Sequence, residues 1–363
     1  MSNLESWFFY ISAFLISAFF CSLHKSKNVL VKYIGIIVAI VIPSVVAGKR
    51  YLVGTDFATY DFFFSNIRDM SWVNLLFKEN RWEIGFRILV KCLSFIGSNE
   101  VIFGSISFIM LSFFLGTILR ICIPSNIALY YFIYLCYYYT FSLNNVRQCL
   151  ALSIVFWASQ YVWKGELKKF LIWIGFASMF HMSALGSIFI YWLWDQKKHK
   201  NITKKKIYII MSFAVIATIF WRNLLQFFIR HIGGFITKYS YLMNNNDARN
   251  REFYIKLLLA VVFILLYRKF EQRDNKNVTF IYLYFINVII SYVGFQITFA
   301  KRLALYYEIP YVLLVGQIPN MFKKISSRRI MSAIIVILYI IYFTVFYLVS
   351  GHSEIFPYQW RSR

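Results

Sequence analysis

Several short stretches carry residue types whose spacing suits work on an anion. Gly48-Lys49-Arg50-Tyr51-Leu52-Val53-Gly54-Thr55-Asp56 sets two cations near a carboxylate on a glycine-flexible turn, with Tyr60 and Asp61 following. Lys49 and Arg50 could hold a phosphate there while Asp56 accepts a proton. The competing reading is a solvated turn in which Asp56 caps a helix or pairs with Arg50. Lys49 is no phosphate-loop lysine, because the upstream glycine is missing and no Ser or Thr follows it. Glu83, in Arg81-Trp82-Glu83-Ile84-Gly85-Phe86, suits either an acid–base role at a membrane surface or a structural one at a helix start. In Asn144-Asn145-Val146-Arg147-Gln148, an arginine sits between two strongly apolar runs. Placed deep in hydrocarbon it costs about 2.5–3.5 kcal/mol on insertion scales, so Arg147 needs a partner, a polar pocket shared with Gln148, or a route to the headgroups.

Further along, His181 in Phe180-His181-Met182-Ser183 is a third acid–base candidate, weighed against an ordinary hydrogen-bonded core histidine. Lys301 and Arg302 close another apolar run, followed by Tyr306 and Glu308. Between about 222 and 253 lie Arg222, Arg230, His231, Lys238, Arg249 and Arg251, a set suited to an anion such as a pyrophosphate or to lipid headgroups. No His or acid cluster has metal-ligand spacing, and the five cysteines lie unpaired in apolar stretches, so neither a metal nor a disulfide frame is expected.

The elements that must carry these residues are membrane helices. Of the 363 residues 60% are apolar, and the mean hydropathy is +0.60, more apolar surface than one soluble core could hide. Aromatics make up 21%, which suits interfacial Tyr and Trp. The net charge of +24 is broken into short clusters between apolar runs, a pattern of positive-inside topology and anionic lipid rather than of nucleic-acid binding. Apolar runs occur at 4–23, 29–47, 101–119, 126–143, 146–163, 207–221, 254–267, 278–298, 303–320 and 330–349. Residues 83–97, with Arg87 and Lys91 four apart, read as an amphipathic interfacial helix. Residues 168–196 lie between two basic clusters that both want the cytoplasm, and read as two short helices meeting near His181–Ser183.

The resulting expectation is an all-α polytopic membrane protein, one integral membrane domain over 1–363. It has about twelve transmembrane helices with both termini outside, a GT-C-like arrangement being one candidate. Two larger extracytoplasmic loops are expected, at 48–99 with the interfacial helix and at 222–253. The second-ranked topology makes 83–97 a span and 168–194 one long span.

The ordered motifs G-T-D-x-x-x-Y, W-E-x-G-F, N-V-R-Q-C-L-A, F-H-M-S-A-L and K-R-L-A-L-Y-Y, over roughly residues 45 to 310, resemble those of EpsG-like proteins, which are similar to Wzy-type O-antigen and capsule polymerases. The resemblance implies a membrane glycosyltransferase at the periplasmic face of the bacterial inner membrane. It would transfer a growing glycan from undecaprenyl pyrophosphate to the non-reducing end of another lipid-linked repeat unit, without a cofactor. A flippase and a chain-length regulator are the partners such a pathway implies. On this reading Asp56 is the first choice of base, with Glu83 or His181 next. Arg50, Arg147 and Arg302 would meet the pyrophosphate, Arg249 and Arg251 would close over it, and Tyr60 would stack on a sugar. A flippase for the same lipid-linked sugars is the main alternative, although no internal repeat is visible. A membrane acyltransferase is a third reading, for which His181 has no acid nearby in sequence.

Overall fold

The computed structural model describes residues 1–79, 81–121, 126–195, 200–201, 212, 251–294 and 298–361. Among these the chain is helical apart from a two-residue ribbon, Trp194–Asp195 paired antiparallel with Lys200–Asn201. Five helical segments are long and apolar enough to cross a membrane: Asn3–Lys25, Val29–Lys49, Asn99–Ile121, Asn275–Val293 and Ile325–Val349. The protein is therefore a multi-pass, all-α membrane protein. The expected run at 303–320 is not one helix: it divides into Thr298–Glu308 and Tyr311–Gln317, because Pro310 cannot continue the first. The run at 207–221 apart from residue 212, most of the loop at 222–253, and with them Arg222, Arg230, His231, Lys238 and Arg249, lie outside the described residues.

The chain divides into two compact units. The first comprises Met1–Trp157, Gly175–Met182 and Val315–Arg363. Its opening helix is set by a capping box, Ser2 and Glu5 exchanging side-chain and backbone bonds. Asn28 caps the second, accepting from the N–H groups of Leu30 (2.9 Å) and Val31 (3.3 Å). Pro43 lies within that second helix, where its missing N–H orphans the carbonyl of Ala39. Lipid offers that carbonyl no donor, so two side chains do: the Ser17 hydroxyl at 2.5 Å and the Tyr131 hydroxyl at 2.9 Å. The Tyr139 hydroxyl donates to the carbonyl of Pro43 itself at 2.7 Å. Buried polar groups thus lock three helical segments to one proline.

The stretch at 48–99 is a helical lobe rather than an open loop, made of Phe57–Asp69, Trp72–Phe77 and Ile84–Ser94. The third of these is the expected short helix, but its cations do not lie on a solvated face. Arg87 and Lys91 are 7% and 5% exposed. Lys91 donates to the carbonyls of Ile67 (3.2 Å) and Arg68 (2.8 Å), and Arg87 to those of Leu75 and Glu79. Each cation sits at the carbonyl end of a preceding helix, where the orphaned acceptors and the helix dipole both favour positive charge.

The second unit comprises Ala158–Ile174 and Ser183–Leu314. It takes in all but the first residue of the 3-10 helix Met182–Leu193; the break at Met179–His181 after the helix Leu167–Ser178 belongs to the first unit. Gly186 packs so closely on Leu303 that a β-carbon would stand 2.0 Å from its Cδ1. The Tyr307 hydroxyl donates to the Gly186 carbonyl at 2.5 Å, and the Ser183 hydroxyl to that of Tyr306 at 3.2 Å. A buried ion pair, Lys256–Glu308 at 3.0 Å, joins the helix Arg251–Leu265 to Thr298–Glu308. A bare charge at such a position would be strongly penalised, and the pairing offsets that cost.

Candidate functional site

Arg147 begins the helix Val146–Trp163 and is the centre of the first unit's polar cluster. Its guanidinium forms an ion pair with Glu83 and donates to the Tyr60 phenol oxygen. It also lies over the Trp82 ring, 4.2 Å from the centroid. Both charged side chains keep about a fifth of their surface open, 23% for Arg147 and 21% for Glu83. The Nε of Arg147 has no hydrogen-bond partner among the described residues. Glu83 precedes the helix Ile84–Ser94 yet makes no capping bond, so its carboxylate is spent on Arg147 rather than on the helix start.

Trp82 is what sequence reasoning missed. One face carries Arg147, and Phe63 stacks on the indole at 4.3 Å with an interplanar angle of 20°. Tyr60 closes the side at 5.2 Å. A tryptophan directly before the acid that pairs the arginine was the available signal, since a desolvated cation–π contact contributes about 2 kcal/mol. Tyr60 is 4% exposed, so its ring offers no free face to a sugar, which corrects the stacking role expected of it. Burial pushes its phenol above the ordinary tyrosine value, while Arg147 pulls it back down.

Asp56 stands exposed just before the helix Phe57–Asp69 and makes no capping bond with it. It accepts from the Thr55 hydroxyl at 3.5 Å and lies within electrostatic reach of Tyr60. A second motif contact places this turn. Gly54 has φ of +98°, and a β-carbon there would stand 2.3 Å from the Asn144 Oδ1, so only glycine fits. His181 is 8% exposed at the end of the helix Leu167–Ser178. Two residues before it, Met179 accepts from the Gly85 N–H at 2.9 Å. A β-carbon on Gly85 would lie 2.7 Å from that of Met179. Three of the five motifs therefore meet within the first unit, through Tyr60–Arg147 and Glu83–Arg147, with Gly54 against Asn144 and Gly85 against Met179, two partners just outside the motifs.

The remaining cations fall elsewhere. Arg50 is 2% exposed; it donates to the carbonyls of Leu143 (2.5 Å) and Val53 (3.4 Å) and lies 4.7 Å from the Phe103 ring centroid. The anion-binding role expected of Arg50 does not fit this burial: its Nη1 is committed to backbone carbonyls. Lys49 is half exposed and pairs with Glu100 at 2.5 Å. That pair stands at the mouth of an apolar groove of about 410 Å³ between the helices Val29–Lys49 and Asn99–Ile121. Gln148 is buried on the same helix as Arg147. Arg302 is half-buried in the second unit, and Arg251 opens the helix Arg251–Leu265.

A family model described as EpsG family matches residues 32–360. The chain belongs to the EpsG family. Residues 32–360 take in the whole Arg147 cluster of this EpsG-family protein, and membership carries a polysaccharide-polymerase-like role in the membrane. No curated protein and no solved structure matches the chain.

Proposed function

We propose that this EpsG-family protein is a glycosyltransferase that polymerises lipid-linked repeat units, transferring a growing glycan from undecaprenyl pyrophosphate to the non-reducing end of another unit at the periplasmic face of the inner membrane. The observation that carries this reading is Arg147: a partly open guanidinium held in place by Glu83, Tyr60 and Trp82.

Transfer needs two things. The acceptor hydroxyl must lose its proton as its oxygen bonds to the anomeric carbon. The bond from that carbon to the pyrophosphate oxygen must break, its electron pair leaving with the pyrophosphate. A guanidinium preorganised before charge develops stabilises the leaving anion without reorganising. Asp56 is exposed, uncommitted to a helix cap and close to Tyr60, which suits a base. Glu83 is already paired and suits orientation of Arg147. Arg50 is assigned a structural role. The apolar groove beside Lys49 has dimensions suited to a lipid chain, which supports a lipid-linked substrate.

Deleting the gene in its native host and resolving surface glycan on a gel tests the reading. A lost ladder with a single-repeat band remaining is the expected result. Loss of every repeat-bearing band would instead indicate export or an earlier step, and an unchanged ladder would overturn the proposal.

A further inference from the structure

Residues 350–361 lie along the segment 49–54 as a backbone strap. The N–H of Tyr51 donates to the Gln359 carbonyl (2.9 Å), that of Gly54 to Glu354 (2.9 Å) and that of Arg361 to Lys49 (3.0 Å). The strap ends in a forked ion pair: the two terminal nitrogens of Arg361 meet the two carboxylate oxygens of Asp61 at 2.8 and 3.3 Å. Asp61 is held again from the other side. The Asn99 amide, 5% exposed, lies 2.9 Å from Asp61 Oδ1, 3.0 Å from its carbonyl and 2.9 Å from the Ser65 hydroxyl. Arg68 donates to the Asn99 Oδ1 at 3.0 Å, completing the network.

Asp61 follows Tyr60 on the helix Phe57–Asp69, so the two side chains point about 100° apart around its axis. Tyr60 reaches Arg147 and Asp61 reaches Arg361. The helix start has no side-chain cap of its own; buried Phe57, Phe63, Phe64 and Ile67 seat the helix, and these two polar contacts fix its rotation about its axis. We infer that Arg361 is a positioning residue for the Arg147 site: by clamping Asp61 it sets the helix that delivers Tyr60 to the guanidinium. This rests on the reading of Arg147 given above. A forked pair fixes direction as well as distance, which a lysine contact does not. Displacement of a site by about 1 Å can cost about 100-fold in rate.

The test compares initial rates of the purified full-length protein on lipid-linked repeat units, for wild type, R361A, R361K, D61N, the D61R/R361D exchange and R147A. The expected result is a fall in kcat of about 10- to 100-fold for R361A and D61N with KM little changed. R361K should be intermediate, and the exchange should recover activity. If R361A loses its fold, R361K and the exchange decide the matter through the same kcat-against-KM split. Wild-type kcat in R361A, or a reduced kcat that the exchange fails to improve, overturns the inference. If R147A is also fully active, the reading of the site itself has failed; if R147A is inactive while R361A is normal, only the positioning role is lost.

Discussion

Gly54 and Asn144 touch so closely that no other residue fits at position 54: its φ is +98°, and a β-carbon would stand 2.3 Å from the amide oxygen of Asn144. The turn that carries Asp56 and the helix start that carries Arg147 are thereby set against each other. Gly54→Ala should destabilise the protein by more than about 1 kcal/mol, from backbone strain before the clash is added. Thermal unfolding in detergent would show a lowered midpoint; an unchanged midpoint would mean the contact has no such role.

Arg147→Ala should reduce polymerisation about 100- to 1,000-fold at equal protein level, the usual loss when a preorganised donor to developing negative charge is removed. Arg147→Lys keeps the charge but not the fork or the stacking on Trp82, and should recover only part. Glycan chain length against immunoblotted protein checks both. Normal chains from Arg147→Ala would remove the site.

Trp82→Leu should cost both stability and rate. It removes the cation–π contact, worth about 0.5–2 kcal/mol, and leaves Phe63 without its stacking partner. Kinetics that lose kcat beyond what the unfolded fraction explains would show that the indole holds Arg147 in its working position. A loss fully accounted for by unfolding would limit Trp82 to packing.

Arg50→Lys should be nearly as damaging to folding as Arg50→Ala. The guanidinium reaches two carbonyls and lies over Phe103, which one ammonium cannot reproduce. Membrane protein yield and melting midpoint are the measurements. Full yield with lost polymer would return Arg50 to the substrate.

The Tyr60 phenol, raised by burial above the ordinary tyrosine value, keeps its neutral form to higher pH than a free phenol does. Across the neutral range, well below that ordinary value, Tyr60→Phe should therefore lower the rate without changing the shape of the pH profile. An alkaline limb below pH 10 that disappears in the phenylalanine variant would show the phenol ionising in the working range.

The sequence makes the helices legible where the signal is local: the apolar runs at 4–23, 29–47, 101–119, 278–298 and 330–349, and the break near His181. It makes the motif residues legible too, including Glu83 and Arg147. Their pairing across 64 residues is not legible, because no local periodicity encodes it. Arg87 and Lys91 show the same limit. Two cations four apart read as a polar face, and only the tertiary arrangement brings carbonyl ends of earlier helices beneath them. Arg361 carries no motif at all; its importance lies wholly in the strap that brings it to Asp61.

That strap also gathers helix ends. Tyr358 donates its N–H to the Ser6 hydroxyl at 2.9 Å, and Arg50 bridges to Trp360. The start of the first membrane helix, the end of the second and the segment after the last therefore lie together at one end of the first unit. Lys25 and Lys27, between the first two spans, Lys323 and Lys324, just before the last, and Arg328 and Arg329 in its opening turn then share the opposite end, the gathering of positive charge on one face that membrane insertion favours.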